Sequence, residues 1–380
     1  MVKTQHQVPD KVAGSVALKG SSEADSRRQG SVGEARHSMM LVIVALVSCI
    51  LCAIAVNAGL RIVKPAIFAP FWKLLDAAAN PTTNLVFIGT SRVEEGFIPN
   101  VFDEVVTEAA IGDFHSFNAG RPGEFVIEAA ADAETLFKLK PQGIKFVFIE
   151  PDYLSGIFNG NLQMNTLRAI NYYTVSHAYF AVEMLGFPAN LLDPPAVFAG
   201  RLGRIVKATL RHYFSIGLAW ADPDAPDAGF SKTSRGFHDL NPGQYRQLTP
   251  PENYRAYLKL LATMPPRLDL FSDRQFDLLL SVAADIKAHG AVPIMIGMPQ
   301  GDTTGTAALI AKLSQRCLGK SPLYFDFTSP AQYPALWDPE NRQDLDHLNT
   351  SGAEIFSRLI ADRLVMAIKD ESISRPLCGG

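Results

Sequence analysis

Cysteine is scarce in this chain, with four in 380 residues. Cys49 and Cys52 lie inside a single apolar run, where thiols act as small hydrophobes. They spell C-x-x-C, but no thioredoxin-like βαβ pattern surrounds them. Cys317 and Cys378 are the other pair; an oxidising compartment permits a bond between them, although two cysteines carry no diagnostic spacing. Zinc-ligand spacings and glycine-rich phosphate loops are missing, and the eight histidines are scattered, so neither a metal nor another cofactor is expected. There is no basic stripe, and the formal net charge of -3 gives no reason to expect nucleic acid as a partner. No internal repeat occurs.

Long hydrophobic runs are also few: there is one, over residues 39–60, interrupted only mildly by Ser48, Asn57 and Gly59. About 20 residues at 1.5 Å each match a hydrocarbon core of ~30 Å, so this run predicts a single transmembrane helix held in a lipid bilayer. Ala53-Ile54-Ala55 fits a signal-peptidase pattern and Leu46-Val47-Ser48-Cys49 a lipoprotein box. The long polar leader and the apolar residues beyond both sites favour an uncleaved anchor. Residues 1–38, rich in Ser, Gly and charged residues, predict a disordered tail. Basic residues Lys19, Arg27, Arg28 and Arg36 before the run, against Arg61, Lys64 and Lys73 after it, lean toward a cytoplasmic tail. The protein is then expected in the inner (plasma) membrane, single-pass, with everything after the span outside the cytoplasm.

Beyond a juxtamembrane connector at residues 61–83, the pattern becomes α/β. Apolar runs of strand length occur at 84–88, around 114–118, and at 145–149, 292–297 and 323–327. Helical patterns lie between them, clearest at 123–139, 273–289 and 351–368, the last with a capping box Ser351-Gly-Ala-Glu354. Strands alternating with helices predict a parallel sheet covered on both faces, a three-layer α/β/α domain over residues 84–370. Residues 155–265 break the rhythm with Pro, Gly and aromatics, among them Tyr172, Tyr173, Trp220, Phe230, Phe237 and Tyr245. This stretch reads as an insertion, placed either over the carboxyl ends of the strands or as a peripheral cover. Residues 371–380 read as a flexible tail.

Two short blocks carry chemistry. Gly89-Thr90-Ser91-Arg92 follows the first strand, and Asp344-Leu345-Asp346-His347 precedes the last helix. A serine hydroxyl is a weak nucleophile until an imidazole can take its proton, and a carboxylate must orient that imidazole. Ser91 is therefore the expected nucleophile, His347 the base and Asp344 its orienting acid. Asp346 competes for the last role, although an immediate neighbour's side chain usually points elsewhere. Arg92 either neutralises an acidic substrate or pairs with Glu94, Glu95 or Glu150.

These blocks, in this order, resemble the SGNH (GDSL-like) hydrolase superfamily, over about residues 84–155 and 275–366. That family's Gly-Asp-Ser nucleophile block is matched by Gly89-Thr90-Ser91 and its Asp-x-x-His block by Asp344 to His347. Its glycine block is matched by Asn118-Ala119-Gly120-Arg121-Pro122-Gly123. The resemblance implies a flavodoxin-like parallel sheet and an oxyanion hole made by the backbone N–H groups of Ser91 and Gly120, with Asn118, Arg121 and Arg92 near the substrate. Where the family carries Gly-x-Asn-Asp, this chain has Ile149-Glu150-Pro151-Asp152-Tyr153, so the asparagine donor is lacking or is supplied from elsewhere. The wording Phe87-Ile88-Gly89-Thr90-Ser91-Arg92 with a single anchor resembles membrane-bound, cell-envelope and exopolysaccharide members that transfer or remove acyl groups. The implied activity is a serine acyl-ester hydrolase or O-acetyltransferase, its partners an acylated glycan or an acyl donor protein. The alternative is a non-catalytic scaffold of a polysaccharide synthesis or export complex.

Overall fold

The computed structural model of the protein describes residues 21–63, 71–124, 126–140, 142–151, 172–185, 194–214, 235–237, 251–261, 263, 273–301, 304–317 and 323–374. The chain divides into two units, Met1–Ala58 and Gly59–Gly380.

The first unit is dominated by α1, Ser21–Val63, a helix of 43 residues. Its segment Arg36–Leu60 is long and apolar enough to cross a membrane. Side chains such as Leu41, Val44, Leu51 and Ile54 stand exposed. A helix that is apolar on every side is suited to lipid. Residues 21–38 continue the same helix. Once the apolar turns are formed, each added residue costs little, and Glu, Ala, Arg and Gln propagate helix well. Residues 1–20 lie outside the described residues.

Among its described residues the second unit holds five strands: β1 Leu85–Ile88, β2 Ser116–Asn118, β3 Phe146–Ile149, β4 Val292–Gly297 and β5 Tyr324–Asp326. All neighbours pair in parallel, in the order β2-β1-β3-β4-β5. Strands of this length alternate sides, and both sides here are apolar. Val86, Ile88, Val147 and Ile149 face one core, with α2 (Trp72–Ala79), α5 (Val126–Leu139), α9 (Asp273–Ala288) and α10 (Thr304–Arg316). Leu85, Phe87, Phe146 and Phe148 face the other, with α3 (Ser91–Gly96), α4 (Pro99–Glu108) and α11 (Thr350–Lys369). The result is a three-layer α/β/α architecture. Strand order reverses between β1 and β3, and open parallel sheets take ligands at the carboxyl ends beside such a reversal.

Two expected boundaries move. The connector at 61–83 already belongs to the domain from Trp72, because Lys73, Leu74 and Ala77 are buried. The last helix is capped by Asn349, whose side chain accepts from Gly352 N–H at 3.0 Å, and Ser351 sits inside its first turn. The asparagine prevails because its Nδ2 is also held by Glu340 O at 2.7 Å, which fixes it outside the helix.

Three helices of the insertion are described: α6 Val175–Leu185, α7 Pro195–Phe214 and α8 Pro251–Leu261. Helices α6 and α7 pack on each other, and Tyr172, Tyr173, Ala181, Ile205 and Ala208 join Ile127 of α5 and Leu278 of α9. They cover the helical layer from outside, as a peripheral subdomain does. Helix α8 instead reaches the strand ends, where Tyr257 Oη donates to Gly301 O. Trp220, Phe230 and Tyr245 lie outside the described residues.

Candidate active site

The chain leaves β1 at Ile88, turns at Gly89 and enters α3 at Ser91. Thr90 is the N-cap, its Oγ1 accepting from Arg92 N–H at 3.2 Å. A capping threonine holds the first helical residue at the strand's end, which places the Ser91 hydroxyl above the sheet. Gly89 is required there because a Cβ would stand 2.5 Å from Val93 Cγ2 and 2.7 Å from Glu150 Oε2. At the other end, Asn118 Nδ2 lies 2.8 Å from Val93 O and 2.7 Å from Phe97 O, which closes the helix.

The second block forms a loop closed at its neck by a bridge between Arg342 and Leu348. Leu348 is buried in the core beneath α11. Within the loop, Asp344 Oδ1 accepts the backbone N–H groups of Asp346 and His347, each at 2.8 Å. Those bonds leave the carboxylate aimed at the imidazole, with Nδ1 of His347 2.8 and 2.9 Å from the two Asp344 oxygens. The other ring nitrogen, Nε2, lies 2.7 Å from Ser91 Oγ. The network assigns the tautomer: Nδ1–H donates to Asp344, so Nε2 accepts from the serine hydroxyl. Asp346 points away and accepts from Gly301 N–H at 3.0 Å.

Electrostatics follow from this geometry. Burial alone would lower the His347 pKa, but the hydrogen bond to Asp344 and the charges of Glu95, Asp344 and Asp346 outweigh it and raise it above 6.5. Burial would raise Asp344, yet the His347 hydrogen bond and charge, with the two backbone N–H groups, hold it below the usual carboxylate range. An imidazole with a raised pKa is a stronger base once deprotonated.

The remaining expected residues are turned inward. Arg92 is buried and its Nη2 lies 2.5 Å from Glu150 Oε1, an ion pair without hydrogen-bond alignment. Glu150 Oε2 accepts Thr90 N–H at 2.7 Å, so this acid braces the turn before Ser91. Arg121 Nη2 pairs with Asp132 at 2.6 Å, and its guanidinium covers the Phe71 ring. Gly120 N–H donates to Asn118 Oδ1 at 2.9 Å. A Cβ on Gly120 would meet Glu94 N at 2.4 Å, so α3 and the β2 end approach as closely as backbone allows. Ser91 N–H, at the first turn of α3, has no acceptor among the described residues, as the first N–H groups of a helix do. Asp152 and Tyr153 lie outside the described residues.

Two residues matter here that pattern reading did not select. Arg342 is buried over the Trp337 ring, its centre 4.8 Å from the centroid. It donates to the carbonyls of Asp344 (3.0 Å), Leu345 (2.6 Å), Leu336 (3.0 Å) and Pro299 (3.1 Å). One rigid fork thereby pins the loop carrying Asp344 and His347 to the end of β4. Glu95 is the second, half-buried on α3 beside His347. No periodicity or spacing marks either of them. Among the described residues no three His, Cys, Asp or Glu side chains gather as metal ligands do. A serine hydroxyl hydrogen-bonded to an imidazole at a strand's carboxyl end is the arrangement of a catalytic dyad. No family model matches the sequence, and no curated protein is significantly similar to it.

Proposed function

We propose that the protein is a membrane-anchored serine acyl-ester hydrolase or O-acyltransferase of SGNH type, acting on a cell-surface polysaccharide. The observation that carries this reading is the line Ser91 Oγ, His347 Nε2 and Nδ1, Asp344, with contacts of 2.7 and 2.8 Å. In the proposed reaction Ser91 Oγ adds to the acyl carbonyl while its proton passes to His347 Nε2, and Asp344 stabilises the imidazolium. The oxyanion rests on Ser91 N–H. Collapse breaks the bond to the leaving oxygen, which takes the proton from His347 and leaves an acyl-serine. Water or a sugar hydroxyl then gives its proton to His347 and adds to the acyl carbon. Collapse then breaks the Ser91 Oγ–acyl bond as His347 returns the proton to Oγ, which restores the serine hydroxyl and the neutral imidazole and yields a carboxylic acid or a new ester.

Cys317 is disulfide-bonded, which supports an oxidising compartment and hence a domain outside the cytoplasm. Cys378, its expected partner, lies outside the described residues. A fluorophosphonate probe tests the chemistry: the full chain should label at Ser91, and Ser91→Ala should remove the label. The scaffold reading has its own support, since Gly120 N–H is held by Asn118 and the stretch Ile149 to Tyr153 carries no asparagine donor. A wild-type chain that folds and does not label would establish that alternative.

A further inference from the structure

Among the described residues, five acidic side chains lie on α3, at the end of β3 or in the loop that carries His347, and four have a partner; Asp346 accepts Gly301 N–H at 3.0 Å. Glu94 meets Lys73 at 2.8 Å, Glu150 meets Arg92 at 2.5 Å, and Asp344 meets His347 at 2.8 Å. Glu95 is the exception. It lies four residues along α3 from Ser91, so both side chains leave the same helical face. Its Oε2 is buried and has no hydrogen-bond partner, and no ion pair involves this residue among the described residues. Burying part of a carboxylate without a donor or counter-charge disfavours its charged form, so such a group holds its proton more tightly until a positive charge appears beside it. The positive charge that serine chemistry creates in this place is the His347 imidazolium.

We infer that Glu95 is a positioning residue of the Ser91–His347 pair, supplying the second counter-charge, beside Asp344, for the imidazolium formed when Ser91 gives up its proton. The inference rests on the acyl-transfer reading above and adds a residue to it. The groups facing Glu95 are His347 and Asp344 from the loop before α11, Glu94 on α3 itself, and Lys73 from α2. Those facing His347 are Asp344, Glu95 and Asp346. Lys73 is engaged with Glu94 and with Gly120 O, at 2.8 Å each, so it does not replace the imidazolium as Glu95's partner.

Protonation makes the coupling two-sided. Burial raises the Glu95 pKa to about 7, with the His347 charge opposing the rise and Glu94 and Asp344 adding to it. Glu95 and His347 act on each other's charge, and two such coupled groups share macroscopic steps rather than owning one each. An ionised Glu95 favours the charged imidazole, and a protonated Glu95 withdraws that support. With the serine proton on Nε2, the charges of Asp344 and Glu95 both favour the cation; in the resting pair, the neutral imidazole has near it a carboxyl group that can hold its own proton.

The test is an NMR titration of His347 in the full chain in detergent micelles with isotope-labelled histidine, its signal identified by loss in His347→Gln. The wild type should titrate in two inflections. Glu95→Gln keeps the shape and removes the charge, and should leave one inflection about one pH unit lower. Glu95→Asp should restore most of the shift, which a merely structural role would not. A single wild-type inflection that Glu95→Gln leaves in place overturns the inference. If Glu95→Gln does not fold, the wild-type curve decides alone: two inflections support the coupling and one overturns it. Fluorophosphonate labelling of the same wild-type sample reads the underlying assignment separately. Absent labelling overturns the acyl-transfer reading, whereas an unmoved His347 titration in a chain that labels overturns only the role of Glu95.

Discussion

At the scale of single residues, the question is which acid serves the imidazole. Asp344 reaches Nδ1 with both oxygens, while Asp346 is occupied by Gly301 N–H. Replacing Asp344 by Asn should therefore cost about 10⁴ in turnover, because an amide can stabilise the wrong tautomer. Asp346→Asn should cost less than about 10-fold, since it loosens the Gly301 contact and removes only the smallest of the charges that raise His347. Ester hydrolysis by the two variants ranks them, and the reverse order would move the role to Asp346. The same geometry sets the pH dependence. His347 must be neutral to accept the serine proton, and its pKa is raised from 6.5, so reactivity should be lost as pH falls through a midpoint above that value. The labelling rate of Ser91 against pH measures it. A midpoint at or below 6.5 contradicts the assigned electrostatics.

At the scale of elements, the site depends on two pieces of scaffold. Arg342 holds the loop of Asp344 and His347 through four carbonyls, a task that needs a planar fork. Arg342→Lys keeps the charge and loses the fork. A displacement of about 1 Å at the imidazole is worth about 10² in kcat, and that is the expected loss in ester turnover, with KM little changed. Unaltered kcat would show that the bridge and Leu348 alone hold the loop. Helix α3 depends on Lys73, fully buried against Glu94 and Gly120 O. Lys73→Met strands the Glu94 charge in the core, and breaking a buried pair from one side costs about 3–5 kcal/mol. Chemical denaturation should show that loss. A loss under about 1 kcal/mol would mean that Glu94 becomes neutral or finds another donor.

At the scale of the whole molecule, the apolar helix and the backbone donors near Ser91 bear on what the proposed reaction can reach and how fast. One apolar helix, Arg36–Leu60, supports a membrane-anchored topology. With the domain placed outside the cytoplasm, alkaline phosphatase fused after residue 380 should be active and a cytoplasmic fluorescent reporter at the same point dark. The inverse pair would put the domain inside. One missing oxyanion donor is worth ~3 kcal/mol, about 10²-fold in rate. Among the described residues Ser91 N–H is unengaged while Gly120 N–H is held by Asn118, so a simple activated ester should turn over slowly and an acylated or acceptor glycan should speed it. Fast hydrolysis of the simple ester without acceptor would show that the hole is complete.

Local pattern determined much of this protein. The five strands, the helices at 126–139, 273–288 and 350–369, and the apolar span follow from which neighbouring residues are apolar and at what period. Asp344 and His347 were legible for the same reason, since three residues in one turn are enough to join a carboxylate to an imidazole. Tertiary structure alone decided the rest. Ser91 and His347 are 256 positions apart, and the parallel sheet with its reversal between β1 and β3 is what closes that distance. Arg92, Asn118 and Arg121 sit in the expected blocks, yet each turns inward to a buried partner, Glu150, Gly120 or Asp132. Arg342 and Glu95 acquire their importance from neighbours distant in sequence, and Ser21 to Ser38 became helical by extension from the span. Periodicity reports which face of an element avoids water. A buried polar group is satisfied by whatever the fold brings within about 3 Å, and only the assembled layers specify that partner.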